Sequence, residues 1–382
     1  MNFDLSDEQQ AFVQTAREFA LQELAPHAAA WDESHHFPVD VIRKAGALGF
    51  CGIYAGEACG GLGLRRLDAA LIFEQLSQGC TATTAYITIH NMCTWMVATF
   101  GNDSQRAEFG GRMASGEWLG SYCLTEPGAG SDAAALKTSA RRDGDSYVLN
   151  GSKMFISGAG ATDVLVVMAR TADTGAKGVT AFIVPADLPG ITYGKNELKM
   201  GWRAQPTRLI SFDNVRVPAR CRLGEEGEGF RIAMKGLDGG RLNIASCSLG
   251  TAQAALRAAH RYLQERSQFG RKLADFQALQ FRLADMATEL LAARLMVYHA
   301  ADRLDAGAPD ATAICAMAKR MATDLCFNVC NEALQLHGGY GYLQDFPLER
   351  FVRDVRVHQI LEGTNEIMRL IVARHLLSMP EL

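Results

Sequence analysis

The carboxylate of Glu362, in "HQILEGTNEIMRL" at 358 to 370, is the group whose placement most needs a chemical reason. It follows Ile360 and Leu361, precedes Gly363, and stands two residues before Thr364, the expected N-cap of an amphipathic helix. Glu366, in the first turn of that helix, is explained by the positive end of the helix dipole, but Glu362 comes too early for that role. An acid pressed against apolar neighbours is a candidate general base; a solvated or capping glutamate is the competing reading. Other stretches carry small residues where a ligand could approach backbone. "CLTEPGAGSD" at 123 to 132 follows a predicted strand, with Gly128 and Gly130 open to a flat or anionic group and Thr125 and Ser131 able to hydrogen-bond it. It lacks the Gly-Lys-Ser/Thr of a Walker loop, and no βαβ unit surrounds it. "ERSQFG" at 265 to 270 offers Arg266 either to a phosphate or to the end of its own helix, and "LQLHGGYGYL" at 334 to 343 is a glycine-rich break whose His337 reads as a turn or core histidine.

The elements that must position these groups fall into three blocks. Residues 1–118 read as an N-terminal helical domain, opening with a capping box at Ser6 and Gln9 and with Phe12, Ala16 and Phe19 on one face. Residues 119–228 turn β-rich, with about six strands expected as a small barrel or sandwich and hairpin signals at Asp143-Gly144 and Asn150-Gly151. Residues 229–382 return to helix. Phe276, Leu279, Leu283, Met286, Leu290, Ala293 and Val297 form a seven-residue seam, and helices from about 240, over 311–336 and over 364–378 complete an expected four-helix bundle. The fold class is α+β.

The composition narrows the chemistry. A chain of 382 residues, 48% hydrophobic and 21% charged, supports a large core, and a net charge of −4 with pI near 6.2 gives no footprint for nucleic acid or an anionic membrane. The basic pairs Arg65-Arg66 and Arg141-Arg142 read as solvated loop charges. Ten scattered cysteines without a CxxC read as reduced core thiols, and neither Cys326 with Cys330 nor His35 with His36 makes up a metal site. No apolar run reaches the ~20 residues of a membrane span, and the N-terminus does not read as a signal or transit sequence; the expectation is a cytoplasmic protein, or a matrix protein if the chain is a processed mitochondrial one.

Taken in order, "CLTEPGAGSD", "NGSKMFISGAG", "ERSQFG", "LQLHGGYGY" and "ILEGTNEIM" resemble the acyl-CoA dehydrogenase family from end to end of the chain. "GWRAQPTRLISFDNVRVP", "GLDGGRLNIASCSLG" and "RVHQILEGTNE" are similar to the subgroup acting on isobutyryl-CoA. That resemblance implies FAD as cofactor, a homotetramer, and transfer of electrons to an electron-transfer flavoprotein. The implied reaction is α,β-desaturation of a short branched acyl-CoA, isobutyryl-CoA to methacrylyl-CoA in valine breakdown. The rivals are a butyryl-type or 2-methylbutyryl-CoA dehydrogenase, a flavin oxidase, and a non-catalytic acyl-CoA-binding scaffold.

The resemblance also assigns residues. Glu362 matches the family's base, whose own N–H and a ribityl hydroxyl of FAD hold the thioester oxygen. Tyr122, Leu124, Thr125, Gly130 and Ser131 match flavin contacts, Ser131 also touching acyl-CoA; Phe155, Ile156 and Ser157 match the strand packed on the isoalloxazine. Phe155 and Ser157 stand where many relatives carry Trp and Thr. Arg266, Phe276, Gln277, Gln335, Gly338 and Gly339 match the diphosphate and adenine side, where Gln268 departs from the small hydroxyl residue of some relatives. Thr364 and Glu366 would close the cofactor site. Asp238 and Arg241 of "DGGR" match a CoA-binding stretch, with Leu361, Gly363 and Arg374 as further substrate contacts.

Overall fold

The computed structural model describes residues 4–381. Helix α1 (Asp7–Phe19) starts at the expected capping box, the Ser6 hydroxyl accepting from the Gln9 amide at 3.2 Å, and it buries Ala16 and Phe19. Helices α2 (Ala28–Ser34), α3 (Val39–Ala47), α4 (Arg66–Gly79) and α5 (Thr81–Phe100), with the short α6 (Asp103–Gln105) and α7 (Gly111–Ala114), complete the N-terminal block. Helices α4 and α5 are buried nearly all round, polar residues included, and both are packed against the C-terminal block.

Eight strands follow, β1 (Gly120–Cys123), β2 (Ser139–Asp143), β3 (Ser146–Ser157), β4 (Val164–Arg170), β5 (Val179–Pro185), β6 (Ile191–Tyr193), β7 (Thr207–Pro218) and β8 (Arg222–Leu223). They form one sheet in the order β6-β7-β3-β2-β4-β5-β8, with β1 parallel to β4. The sequence expectation of about six strands falls short because β2, β6 and β8 are short or charged and carry little hydrophobic alternation. Asp143-Gly144 does make the β2–β3 turn, with Asp143 paired to Ser146 and Gly144 at φ +60°. Asn150-Gly151 does not make a turn. It lies inside β3 at a register shift, and Gly151 is required because a Cβ there would stand 2.7 Å from the Thr138 backbone.

The C-terminal block is α8 (Gly229–Glu265), a two-strand ribbon β9 (Ser267–Gln268) with β10 (Arg271–Lys272), then α9 (Gln277–Asp305), α10 (Ala311–His337), α11 (Leu348–Arg356) and α12 (Asn365–Ser378). Helix α8 begins eleven residues before the expected start near 240; it runs through Gly236, Gly239 and Gly240, which are buried where other elements approach its backbone closely. The α9 seam behaves as expected: Met286, Leu290, Ala293 and Val297 are buried against α8 and α10. All ten cysteines are buried and free. No helix among the described residues is long and apolar enough to cross a membrane, and no group of three or more His, Cys, Asp or Glu is placed to hold a metal ion.

Candidate active site

Glu362 occupies a turn between α11 and α12 at φ +56°, a left-handed conformation that costs a non-glycine residue strain, and Gly363 follows at φ +88°. Three anchors hold the turn. Thr364 caps α12, its hydroxyl accepting from the Ile367 amide at 3.3 Å. Lys319, wholly buried on α10, donates to the Gly363 carbonyl at 2.8 Å and to Asn365 Oδ1 at 2.9 Å. Arg241 donates through Nε to the Glu362 carbonyl at 3.4 Å.

This arrangement leaves the backbone of the turn partly open and directs the carboxylate inward. Oε2 of Glu362 is buried without a hydrogen-bond partner, over Gly240 of α8, where a Cβ would lie 2.5 Å from it. Burial pushes the carboxyl up to about 7, and the Arg241 and Lys319 cations oppose that rise. Burial likewise brings the Lys319 ammonium down to about 8. Ile360 contributes little to the desolvation, being 52% exposed, whereas Leu361 packs onto the N-terminal helical core. The Tyr122 hydroxyl is a second buried polar atom without a partner, and proximity to Glu362 adds to burial in raising its ionisation well above normal. Among the described residues the Glu362 amide N–H donates to no protein acceptor, so it is free to bind a ligand oxygen.

The strand-side residues assemble around a buried ion pair. Lys153 of β3 reaches the Glu126 carboxylate at 2.9 Å and the Leu124 carbonyl at 3.0 Å, and the Met154 amide donates to the Thr125 carbonyl at 2.8 Å. Glu126 also receives the amides of Lys137 and Thr138 at 2.6 and 2.8 Å. The loop 124–131 is thereby fastened to the end of β3. At that end, between Lys153 and Ile156, the register shifts; Phe155 takes φ +61° and is 64% exposed, while Ile156 is buried. An aromatic ring held outward at a bulge, on the strand end that Met154 ties to Thr125, makes an uncovered surface suited to a flat heteroaromatic ring; Gly130 and Ser131 of the fastened loop are exposed.

The other cofactor candidates lie elsewhere. Arg266, Gln268, Gln335, Gly338 and Gly339 line a cavity of about 820 Å³, with Phe276 and Gln277 next to its lining residues Leu273 and Ala278. His337 lines it too, buried and stacked on Tyr262 at 4.3 Å, with Nδ1 bonded to the Ala333 carbonyl. This cavity is not the place of the Glu362 chemistry: Arg266 is 25 residues along α8 from Arg241, roughly 37 Å at 1.5 Å per residue.

Asp238 and Arg241 bond to each other at 2.6 Å, and Asp238 also accepts from Thr312 at 2.8 Å. Arg241 thus acts here on the turn backbone. Arg374 is exposed on the third turn of α12, and Glu366 is exposed at the start of that helix, paired with Arg369. Arg66 corrects the reading of its pair as solvated: Arg65 is exposed, but Arg66 is 8% exposed, stacked over Tyr54. Lys319, Lys153 and Gly240 were not singled out, and neither was His358. The indole N–H of Trp202 donates to His358 Nε2 at 3.2 Å, so the ring proton is on Nδ1, which donates to Ser248 at 2.7 Å. His358 thereby joins the sheet's 194–206 loop to α8 at the foot of the Glu362 turn. Only the α8 glycine spacing of i, i+3, i+4 signals this face in the sequence.

A buried acid over a side-chain-free stretch of helix and an uncovered aromatic shelf are the two parts that a flavin-dependent carbon oxidation would need, and the chain belongs to the acyl-CoA dehydrogenase family, whose members use FAD. The family's N-terminal, middle and C-terminal domains match residues 6–117, 121–215 and 227–377. The chain is 54% identical to the mitochondrial isobutyryl-CoA dehydrogenase of Bos taurus over 373 residues, 98% of this chain and 90% of that one. It is 51% identical to the mitochondrial isobutyryl-CoA dehydrogenase of Dictyostelium discoideum, over 97% of this chain and 90% of that one. The structure of butyryl-CoA dehydrogenase from Megasphaera elsdenii superposes with a TM-score of 0.96 at 40% identity, covering 99% of this chain and 100% of that one.

Proposed function

We propose that the protein desaturates isobutyryl-CoA to methacrylyl-CoA, with Glu362 as the general base and an electron-transfer flavoprotein as the electron acceptor. The observation that carries the base is its buried, unpartnered Oε2 beside Gly240. An α-proton of a thioester is very weakly acidic, so the base must be kept from water and its proton affinity raised; burial does both. Glu362 takes the α-proton, and its free N–H donates to the thioester oxygen as negative charge develops there. Arg241 and Lys319 keep the turn fixed while this happens. When bound, FAD supplies the acceptor for the hydride leaving the β-carbon.

Thr125, Phe155 and Ser157 would hold the flavin ring, with Tyr122, Leu124, Gly130, Ser131 and Ile156 around it. The diphosphate and adenine side fits the distant cavity at Arg266 and Gln335. The cavity lies roughly 37 Å at 1.5 Å per residue along α8 from Arg241 at the base, so the cofactor of one subunit would be completed by the cavity of another, in a homotetramer. Asp238 and Arg374 remain candidates for the outer CoA moiety.

The isobutyryl preference is supported by the two relatives of that name and by Leu361, an aliphatic residue beside the base that leaves room for an α-methyl branch. One fitted methyl is worth about 1–3 kcal/mol of discrimination, so kcat/KM for isobutyryl-CoA is expected to exceed that for butyryl-CoA by roughly 10-fold. Leu361→Tyr should erode this preference and retain butyryl-CoA turnover. Steady-state rates across an acyl series check both, and a wild-type preference for butyryl-CoA or hexanoyl-CoA would rule out the branched substrate.

The base also sets a pH profile. Only ionised Glu362 accepts a proton, so the rate of flavin reduction should rise about tenfold per pH unit below 7 and level off above it. A profile flat from pH 5.5 to 8.5 would place the base elsewhere.

A further inference from the structure

Three glycines of α8, Gly236, Gly239 and Gly240, have the spacing i, i+3, i+4 and share one buried face of the helix. Each is approached by a different side chain. Met96 of α5 lies over Gly236, the Arg66 guanidinium over Gly239, and the Glu362 carboxylate over Gly240. One turn further on, Asn243 donates to the Tyr54 hydroxyl at 2.9 Å. The bare face therefore has the unpartnered Oε2 of Glu362 at one side and Arg66 at the other, on neighbouring residues of one helix.

Arg66 is an unusual group to find there. It is 8% exposed, and its guanidinium carbon lies 3.6 Å from the Tyr54 ring centroid and 5.0 Å from that of Trp95. The neighbouring acids are engaged elsewhere: Asp302 and Asp305 pair with Arg65 at 2.8 and 3.5 Å, and Asp238 pairs with Arg241. Among the described residues no carboxylate lies within 4 Å of the Arg66 guanidinium, so two aromatic faces, not an ion pair, fix it over the glycine. The long, stacked, buried Arg66 side chain thus lies over the glycine next to the one that the base covers, a position from which it can wall off one end of the space beside the base.

We propose that Arg66, clamped by Tyr54 and Trp95, closes the far end of the acyl site and limits the substrate to short acyl groups. This rests on Glu362 being the base and deepens the reading of a short-chain substrate. An acyl chain as long as hexanoyl must displace the guanidinium from its aromatic clamp or leave its own terminal carbons badly packed; an isobutyryl group ends before reaching it.

The test compares wild type with Arg66→Ala, Arg66→Lys and Trp95→Ala in the FAD-loaded enzyme. It reads kcat/KM for isobutyryl-CoA and hexanoyl-CoA, and calorimetric affinity for the non-oxidisable thioether hexyl-CoA. Arg66→Ala is expected to raise the hexanoyl to isobutyryl ratio at least ~10-fold and to tighten hexyl-CoA binding, with Trp95→Ala moving both in the same direction and Arg66→Lys staying near wild type. If Arg66→Ala does not fold, Trp95→Ala carries the comparison. A ratio within about two-fold of wild type, with unchanged hexyl-CoA affinity, in the folded variants overturns the proposal. Hexyl-CoA binding reads the wall even in an enzyme without turnover, so failure of the dehydrogenase reading would be seen separately, as wild-type protein that oxidises no acyl-CoA.

Discussion

Glu362→Gln is expected to lose at least ~100-fold in kcat with isobutyryl-CoA while keeping its fold and its flavin, because the amide fills the same space over Gly240 and cannot take a proton. The same variant should be more stable than wild type in alkaline solution. The native carboxyl holds its proton up to about pH 7, against 4.5 for an ordinary glutamate, so the native state binds more protons than the unfolded chain between those values. Its stabilising contribution is complete below pH 4.5 and is lost as pH rises through 7. At pH 8 the ionised wild-type carboxylate costs about 3 kcal/mol that glutamine avoids, and the gap should shrink towards pH 5. Urea unfolding of both proteins at the two pH values measures it. A variant that is inactive and also less stable at pH 8 would mean that Glu362 supports the turn and does no chemistry.

Lys153→Met is expected to cost about 3 kcal/mol and to weaken FAD binding, since removing one member of a buried pair leaves the other uncompensated. Burial pushes the Glu126 carboxyl up, but the Lys153 ammonium and the amides of Lys137 and Thr138 outweigh it, and the group titrates below the usual range. Without the lysine, burial is opposed only by the two amides, so the carboxyl rises and is left either charged without its cation or protonated at a cost. The loop 124–131 would lose its ties to β3 at Leu124 and Glu126, and with them the geometry of the flavin shelf. Thermal unfolding with and without added FAD reads both effects. Wild-type stability and full flavin retention would show that the Met154–Thr125 backbone bond alone holds the loop.

What the sequence revealed and what it hid follow the range of the interactions. The Ser6 capping box, the α9 seam, the Asp143-Gly144 turn and the Thr364 cap are set by residues a few positions apart, and those elements could be read directly. Glu362 could be suspected because no local role explained it. Its desolvation could not be assigned correctly, because it comes from Gly240 across 122 residues of chain and not from the adjacent Ile360. Arg66 read as a solvated loop charge and Lys319 drew no reading for the same reason; only the folded chain shows that Lys319 grips the Gly363 carbonyl and that Arg66 is stacked on the Tyr54 and Trp95 rings. The early start of α8 lay outside the local signals, since the helix runs through Gly236, Gly239 and Gly240 and a glycine in mid-helix is tolerated where another element must come close. Asn150-Gly151 misled as a turn signal because the glycine answers to the approach of Thr138, a contact between strands.

The most direct measurement of the central claim is an anaerobic titration of the yellow FAD-loaded protein with isobutyryl-CoA, followed by flavin absorbance. The account predicts that the flavin band of wild type bleaches as methacrylyl-CoA forms, and that Glu362→Gln binds the thioester with its flavin still oxidised. A wild-type protein that binds FAD and acyl-CoA but bleaches with no chain length, or a Glu362→Gln variant that bleaches as fast as wild type, would contradict it.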